Sequence, residues 1–434
     1  MTKKSLRRGA AAVTGIAAIA FPLAACAAGP SDGSVEISVL VENQEPALGT
    51  TQAIADAFEA ANPGITVKVE TRPGGTEGDN LIKTKLSTGE MENVFIYNTG
   101  SLFQALNPDQ TLVPLSDEAW VGELDDSMKT VVSTDAGVYG TPFGATQAGA
   151  FLYNIPLYKE LGLSVPTSWD EFSANNAAIA AAGKTPVIQT YGDTWTSQLF
   201  VLGDFGNVFS QDPDWAEQYT AGERKYAEQP ALQAFENQQT GFESGWWNRD
   251  FASATLEDGL RMVATGEGAH YPIVTGTFAT VLQNYPDNAN DVGAFPIPAQ
   301  KSDDTRLTVW LPGAAYIAKT TEGEKLDAAK KFVAFINSPD GCAIQNTEMT
   351  PTGPFAISSC TLGDDVPTVA TDLQTWFDAG KTTPALEFLS PIKGPNLENI
   401  TVEVGSGIRS AKDAAALYDE DVKKQAQQLG LEGW

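Results

Sequence analysis

Histidine is almost missing from this chain: His270 is the only one in 434 residues. A Ser-His-Asp triad or a zinc site built on imidazoles is thereby nearly excluded. Basic residues are few as well, 27 Lys and Arg against 55 Asp and Glu, for a net charge of −28. A chain this acidic is a poor partner for nucleic acid or an anionic lipid surface, and it disfavours a strongly anionic ligand. Beyond the N-terminal segment no run of 18 apolar residues occurs, so nothing there reads as a membrane span. No internal repeat or low-complexity tract is present. No metal or other cofactor is expected.

Cysteine is scarce, with Cys26, Cys342 and Cys360 only. Lys3, Lys4, Arg7 and Arg8 precede an apolar run from Ala10 to Leu23, the order of a secretory signal. The run ends Leu23-Ala24-Ala25-Cys26, similar to a bacterial lipobox. Residues 1–25 are therefore expected to be a lipoprotein signal peptide, with Cys26 as the lipidation site and residues 26–34 as a linker. Two acyl chains on Cys26 would hold the protein to a membrane where one would not. Removing residues 1–25 would strip four positive charges and no acidic ones. That leaves Cys342 and Cys360 outside the cytosol, where a disulfide is the default and a pair of free thiols the alternative. Gly29-Pro30-Ser31-Asp32-Gly33 fits the Gly-x-Ser-x-Gly hydrolase pattern, but without a strand before it or a helix after it.

The length exceeds what one hydrophobic core serves, so two lobes are expected. Val35–Val41 alternates as a strand, and Glu42, Asn43 and Gln44 follow at its tip. Open α/β sheets bind ligands beyond the carboxyl ends of their strands, which makes these three binding candidates. A polar loop that simply leads into a helix is the alternative. Asn93–Tyr97 is a further strand, with Asn98 and Thr99 at its tip. Pro186–Thr190 ends in a polar loop that carries Trp195. Two readings stand for Trp195: a flat platform for the C–H face of a pyranose, or a half-buried packing residue. His270 falls inside a strand and is assigned a buried packing role.

The most informative stretch runs from Tyr139 to Phe172. It reads Tyr-Gly-Thr-Pro-Phe-Gly, then Phe-Leu-Tyr-Asn, Lys-Glu-Leu-Gly-Leu and Val-Pro-Thr-Ser-Trp-Asp-Glu-Phe. Ile155–Leu161 suits a helix stopped by Gly162, and Thr167 or Ser168 can cap the next one with Glu171 answering. This order resembles the extracellular solute-binding proteins of ABC importers, family 1, the sugar-binding group that is maltose-binding-protein-like. Asn62-Pro63-Gly64-Ile65, Gly266-Glu267-Gly268-Ala269-His270, Val292–Pro298 and Val309–Ala318 also resemble phrases of that family. Ser168 and His270 depart from it, standing where the family has Thr and Met. The resemblance covers nearly all of residues 35–430.

What the resemblance implies is an α/β, two-lobed periplasmic-binding-protein fold, type II-like. Each lobe would be a mixed sheet flanked by helices, with a hinge of crossing segments. The expected division is 35–143 plus 276–312 for lobe I and 144–275 plus 313–434 for lobe II. Thr146, Thr275, Trp310 and Gly313, at the crossings, join Glu42, Asn43, Gln44, Asn98, Thr99 and Trp195 as ligand-binding candidates. The implied function is non-enzymatic: a monomeric receptor on the outer face of the cell membrane, touching the membrane through its lipid anchor only. It would trap a mono- or oligosaccharide by hinge closure and deliver it to the permease subunits of an ABC importer. A peptide, a polyamine or glycerol phosphate is the alternative cargo. The shortage of basic residues near the expected strand tips argues against the phosphate. A secreted glycosidase working through paired carboxylates is the enzymatic alternative.

Overall fold

The computed structural model describes residues 34–434. The expected signal peptide and Cys26 lie outside these. The chain opens with β1 (Val35–Glu42), α1 (Ala47–Ala61), β2 (Ile65–Arg72), α2 (Gly75–Thr88) and β3 (Val94–Tyr97). Alternation in β1 puts Ile37, Val39 and Val41 in the core, and α1 covers them with Ile54, Ala55 and Phe58. Asn62-Pro63-Gly64 ends α1, and Gly89, at φ 74°, ends α2 in the left-handed region that a Cβ would disfavour. A short α3 (Ser101–Gln104) follows, and β4 (Gly140–Phe143) leads to β5 (Gln147–Asn154).

After β5 the helix α4 (Ile155–Leu161) starts at Asn154, whose side chain accepts from Leu157 N, and stops at Gly162 (φ 64°). Ser168 Oγ then accepts from Glu171 N, while Glu171 answers by accepting from Thr167 N at 2.7 Å, as the capping pattern predicts. That cap opens α5 (Trp169–Ala181). The chain continues through β6 (Thr185–Val187), α6 (Leu256–Thr265), β7 (Gly268–Val274), β8 (Val292–Pro296), β9 (Leu307–Trp310) and β10 (Gly313–Ile317). Helices α7 (Gly323–Ile336), α8 (Pro339–Met349) and α9 (Thr368–Asp378), strand β11 (Thr382–Pro384), and α10 (Leu386–Leu389), α11 (Leu397–Gly405) and α12 (Ala411–Gln428) complete the fold.

The first sheet has the order β2-β1-β3-β10-β4. Its β1–β2 and β1–β3 pairs are parallel, and β10 runs antiparallel between β3 and β4. In the second sheet β5 is central: it pairs with β7 along one edge and with β8 and β9 along the other. β6 and β11 finish that sheet at either side. The two mixed sheets with flanking helices agree with the expected fold class.

The expected division of the later chain is corrected by these pairings. Strands β8 and β9, within 276–312, pair with β5 in the second sheet rather than joining the first. Strand β10, expected in lobe II, sits in the first sheet, and α7 and α8 pack on that side against β1 and α1. The chain thus remains with the second sheet from Gln147 to Trp310. It returns through Leu311 and Pro312, and crosses again between Cys360 and α9, which packs on β8. Strand periodicity tells which residues are extended; it does not tell which strand is the neighbour, and the crossing was misplaced for that reason.

Buried polar bonds fix the crossings. Asn337 Nδ2 donates to Thr141 Oγ1 and to Pro142 O, both at 2.8 Å, and Gly144 N donates to Gln345 Oε1 at 2.7 Å. Cys342 and Cys360 are bonded to each other, with Cα atoms 5.2 Å apart. The disulfide ties α8 to the third crossing. His270 is fully buried among Phe151, Phe172 and Phe295, with Nε2 2.5 Å from Tyr158 Oη. Loss of water in that aromatic box pushes its pKa down to about 3, so it packs as a neutral ring.

Candidate binding cleft

The tips of β3, β9 and β10 converge where the lobes meet. A cavity of about 510 Å³ opens there, lined by Asn98 and Thr99 from the first sheet and by Gln147, Trp310 and Glu387 from the second. Gly313 and Lys393 complete the wall. Gly313 is required by close approach: a Cβ on it would stand 3.0 Å from Tyr97 O.

Trp310 shares the aromatic lining of this cavity with Phe388. Its six-membered ring rests on Gly149 of β5, where a Cβ would come within 2.7 Å of Cζ3. Its indole Nε1 donates to Glu387 Oε1 at 3.0 Å. Glu387 Oε2 faces Lys393 Nζ at 4.0 Å, beyond hydrogen-bond range. A half-buried indole with one edge pinned by a carboxylate is a rigid surface for stacking, and the loose Glu387–Lys393 pair offers acceptors and donors beside it.

A second recess of about 260 Å³ shares Asn98 and Gly313 with the first and lies against the tips of β1 and β2. Glu42, Arg72, Tyr97, Phe143 and Met349 line it. Arg72 is 5% exposed, its Cζ 5.6 Å from the Tyr97 ring centroid, and Nη1 donates to Pro73 O at 2.9 Å. Glu42 Oε2 lies 3.9 Å from Arg72 Nη2. Burial, reinforced by Asp79, pushes the Tyr97 phenol well up from its ordinary value, so it remains a neutral donor.

The sequence candidates separate in the folded chain. Glu42, Asn98, Thr99, Trp310 and Gly313 line one or both cavities. Asn43 and Gln44 are exposed on the loop after β1 and line neither. Thr146 is buried and donates to Pro354 O at 2.7 Å, so it pins two crossings together. Thr275 is buried too, and its Oγ1 accepts from Ala148 N at 3.0 Å at the root of β5. Trp195 follows the packing alternative: it is half-buried, packed on the core, and outside both cavities.

Arg72, Tyr97, Gln147, Glu387 and Lys393 were missed. The expectation that the strand tips lack basic residues is corrected by Arg72, the last residue of β2, and by Lys393. The strand-tip rule that selected Glu42 also applies to Arg72, which ends β2. Glu387 and Lys393 follow β11, a three-residue strand too short to register as one in the sequence.

A family model for bacterial extracellular solute-binding proteins matches residues 43–341, and the chain belongs to that family. Among curated proteins, the multiple sugar-binding protein of Streptococcus mutans is 24% identical over 73% of this chain and 75% of its own. A solved binding protein of Bacillus subtilis in an open conformation covers 92% of this chain and 99% of its own, at 18% identity and TM-score 0.75. The raffinose complex of the solute-binding protein RafE covers 91% and 100%, at 20% identity and TM-score 0.67. At these identities the two solved structures bear on the fold, and they share the two-lobed architecture.

Proposed function

We propose that this solute-binding protein captures a neutral carbohydrate between its lobes and presents it to the permease of an ABC importer. The observation that carries the reading is Trp310, seated on Gly149 and pinned by Glu387, in a cleft that also offers amide and hydroxyl side chains, a loose ion pair and a share of apolar wall with Phe388. A pyranose offers one C–H face for the ring and hydroxyls for the rest. Closure removes water from those hydroxyls, and each one left unmatched costs about 1–3 kcal/mol, which is the source of selectivity. Relatives that carry sugar-binding names or a bound sugar, the Streptococcus mutans protein and the raffinose complex, support the same cargo class. Hydrolysis by paired carboxylates is not favoured, because Glu387 is the single carboxylate among the described residues that line the cleft cavity.

The receptor would act as a monomer on the outer face of the membrane, tethered by lipid on Cys26. Mass spectrometry of the N-terminal peptide from the membrane fraction tests the anchor. A Cys26→Ser variant released to the medium supports it, and one still membrane-bound refutes it. Calorimetry against mono- and oligosaccharides tests the cargo: saturable binding that Trp310→Ala removes is expected, and no binding across the panel overturns the carbohydrate reading.

A further inference from the structure

A third cavity, of about 780 Å³, lies between the lobes and shares no lining residue with the Trp310 cleft. On its first-lobe side the chain between α3 and β4 meets the third crossing: Asp125 N donates to Ala356 O at 3.0 Å, and Ser358 N donates to Glu123 O at 2.8 Å. On the other side stands one face of α9, with Thr371, Gln374, Thr375 and Asp378 at the three- and four-residue spacing of a helical stripe. Cys360 lines the cavity and Cys342 does not. The two cysteines are 6% and 5% exposed, so the cavity is the approach to an otherwise buried disulfide. Among the described residues that line it, Glu123, Asp125 and Asp378 are carboxylates and none is Lys or Arg. Like charge turns an anionic thiol away from such a wall, and a cationic thiol is drawn in.

The bond sits at a decisive point of the crossing. Upstream of it, backbone bonds hold the chain: the two just named, and Thr146 N donating to Pro354 O at 2.8 Å. Downstream, only Asn346 of α8 reaches it, with Nδ2 donating to Thr361 O at 2.9 Å and Oδ1 accepting from Gly363 N at 3.0 Å. Both of these bonds are exposed, where water competes for the same groups. With the disulfide closed, the span free to bend before α9 is 364–367. With it open, that span extends back to 359, and a longer tether lets the lobes swing further. The opening step is thiol–disulfide exchange. A thiolate attacks Cys360 Sγ, a new S–S bond forms there, and the old one breaks with its electron pair leaving on Cys342, which takes a proton from water. One disulfide replaces another, so no further oxidant or reductant is needed.

We infer that this cavity is an entry port for small cationic thiols, that Cys360 is their exchange site, and that the exchange frees the third crossing from α8 and lengthens the hinge. The test uses the full mature protein, natively folded at low salt, with three probes: cysteamine, 2-mercaptoethanol and 2-mercaptoethanesulfonate. Each rate is divided by that thiol's rate on a small neutral disulfide, which removes differences in intrinsic reactivity. Mass spectrometry after alkylation is expected to find the adduct on Cys360 and the alkyl group on Cys342. The normalised rates should fall from the cationic to the neutral to the anionic thiol, by at least about tenfold between the ends, as a local potential of a few kT requires. Added salt should shrink that ratio, and Glu123→Gln/Asp378→Asn should bring it toward one, with thermal melts establishing that the variant is folded. Deuterium exchange of the amides from 359 to 363 should quicken in the adduct while the first sheet stays protected. A bond that opens only as fast as the whole protein unfolds, an adduct on Cys342, or rates without the charge order overturns the exchange site. Unchanged exchange at 359–363 in the adduct overturns the release of the crossing.

Discussion

Ser101 Oγ donates a 2.8 Å hydrogen bond to the main-chain oxygen of Glu387, joining the first lobe to the second across the cleft. The neighbouring contact is tighter still. Gly100, at φ 66°, lies so close to Phe388 that a Cβ would come within 2.6 Å of its Cα. Glu387 thus touches the opposite lobe with its backbone and the Trp310 platform with its side chain. Ligand contact and lobe contact meet in one residue.

Removing the Ser101 bond should loosen the lobes without touching the platform. For Ser101→Ala we expect the unliganded protein to shift toward the open form by about fivefold, the worth of one hydrogen bond near 1 kcal/mol. Single-molecule energy transfer between dyes on the two lobes measures this. An unchanged distance distribution would show that the bond does not restrain the hinge.

The platform depends on a residue with no side chain. Gly149→Ala should push the Trp310 ring off its seat, since overpacking a well-filled site costs about 1–3 kcal/mol. The expected result is a loss of about tenfold or more in affinity for whichever sugar the wild type binds, with the melting temperature lowered modestly. Titration followed by tryptophan fluorescence reads both platform environment and affinity. Trp310→Ala should cost at least as much.

Two buried groups give opposite pH dependences. His270 titrates at about 3 when folded and near 6.5 when unfolded, so the unfolded chain takes the proton first. Its neutral ring favours the folded state above pH 6.5, and that advantage is lost as pH falls from 6.5 toward 3. Asp204 is buried, accepts from Asn207 Nδ2 at 2.7 Å, and has its pKa pushed up to about 7 by loss of solvation. The folded state holds that proton more tightly than the unfolded one. Its contribution is therefore present at low pH and lost as pH rises from about 4 to 7. Each slope is at most about 1.4 kcal/mol per pH unit. Between pH 6.5 and 4 the two oppose each other. Denaturant titrations of Asp204→Asn should show stability falling more steeply on acidification than in wild type; an identical profile would refute the assignment.

The disulfide holds the third crossing to α8 across an 18-residue separation. Loop closure of that size is worth about 3 kcal/mol. The Cys342→Ser/Cys360→Ser double variant should lose about that much in equilibrium unfolding, and the wild type should show the same loss in reductant.

Local chemistry made much of this fold legible. The Asn154 and Ser168 caps, the Gly162 stop and the alternation of β1 are short-range devices, and they lie where the residue types demand. Pairing was not legible. β8 and β9 fall in stretches that resemble family phrases, but membership in the second sheet is decided by β5, more than 130 residues away in the chain. The cleft divides on the same line. Asn98 ends a strand long enough to detect, so the strand-tip rule finds it, while Trp310 lies in a phrase that resembles the family. Glu387 and Lys393 follow a three-residue strand, and their place is set by contacts with Trp310 and Ser101. Thr146 and Thr275 are buried polar residues at a crossing whose hydroxyls bond to backbone groups, a role that their residue type alone does not distinguish from ligand contact.

Strand β10 sits between β3 and β4, yet the ribosome makes it only after the central strands of the other sheet. Until residue 317 has emerged, β3 and β4 each have an open edge, and α7 is not there to cover the core. Synthesis order and assembly order are thus out of step. The first sheet therefore cannot close until β10 is made, and a chain cut before β10 would leave the facing edges of β3 and β4 without a partner.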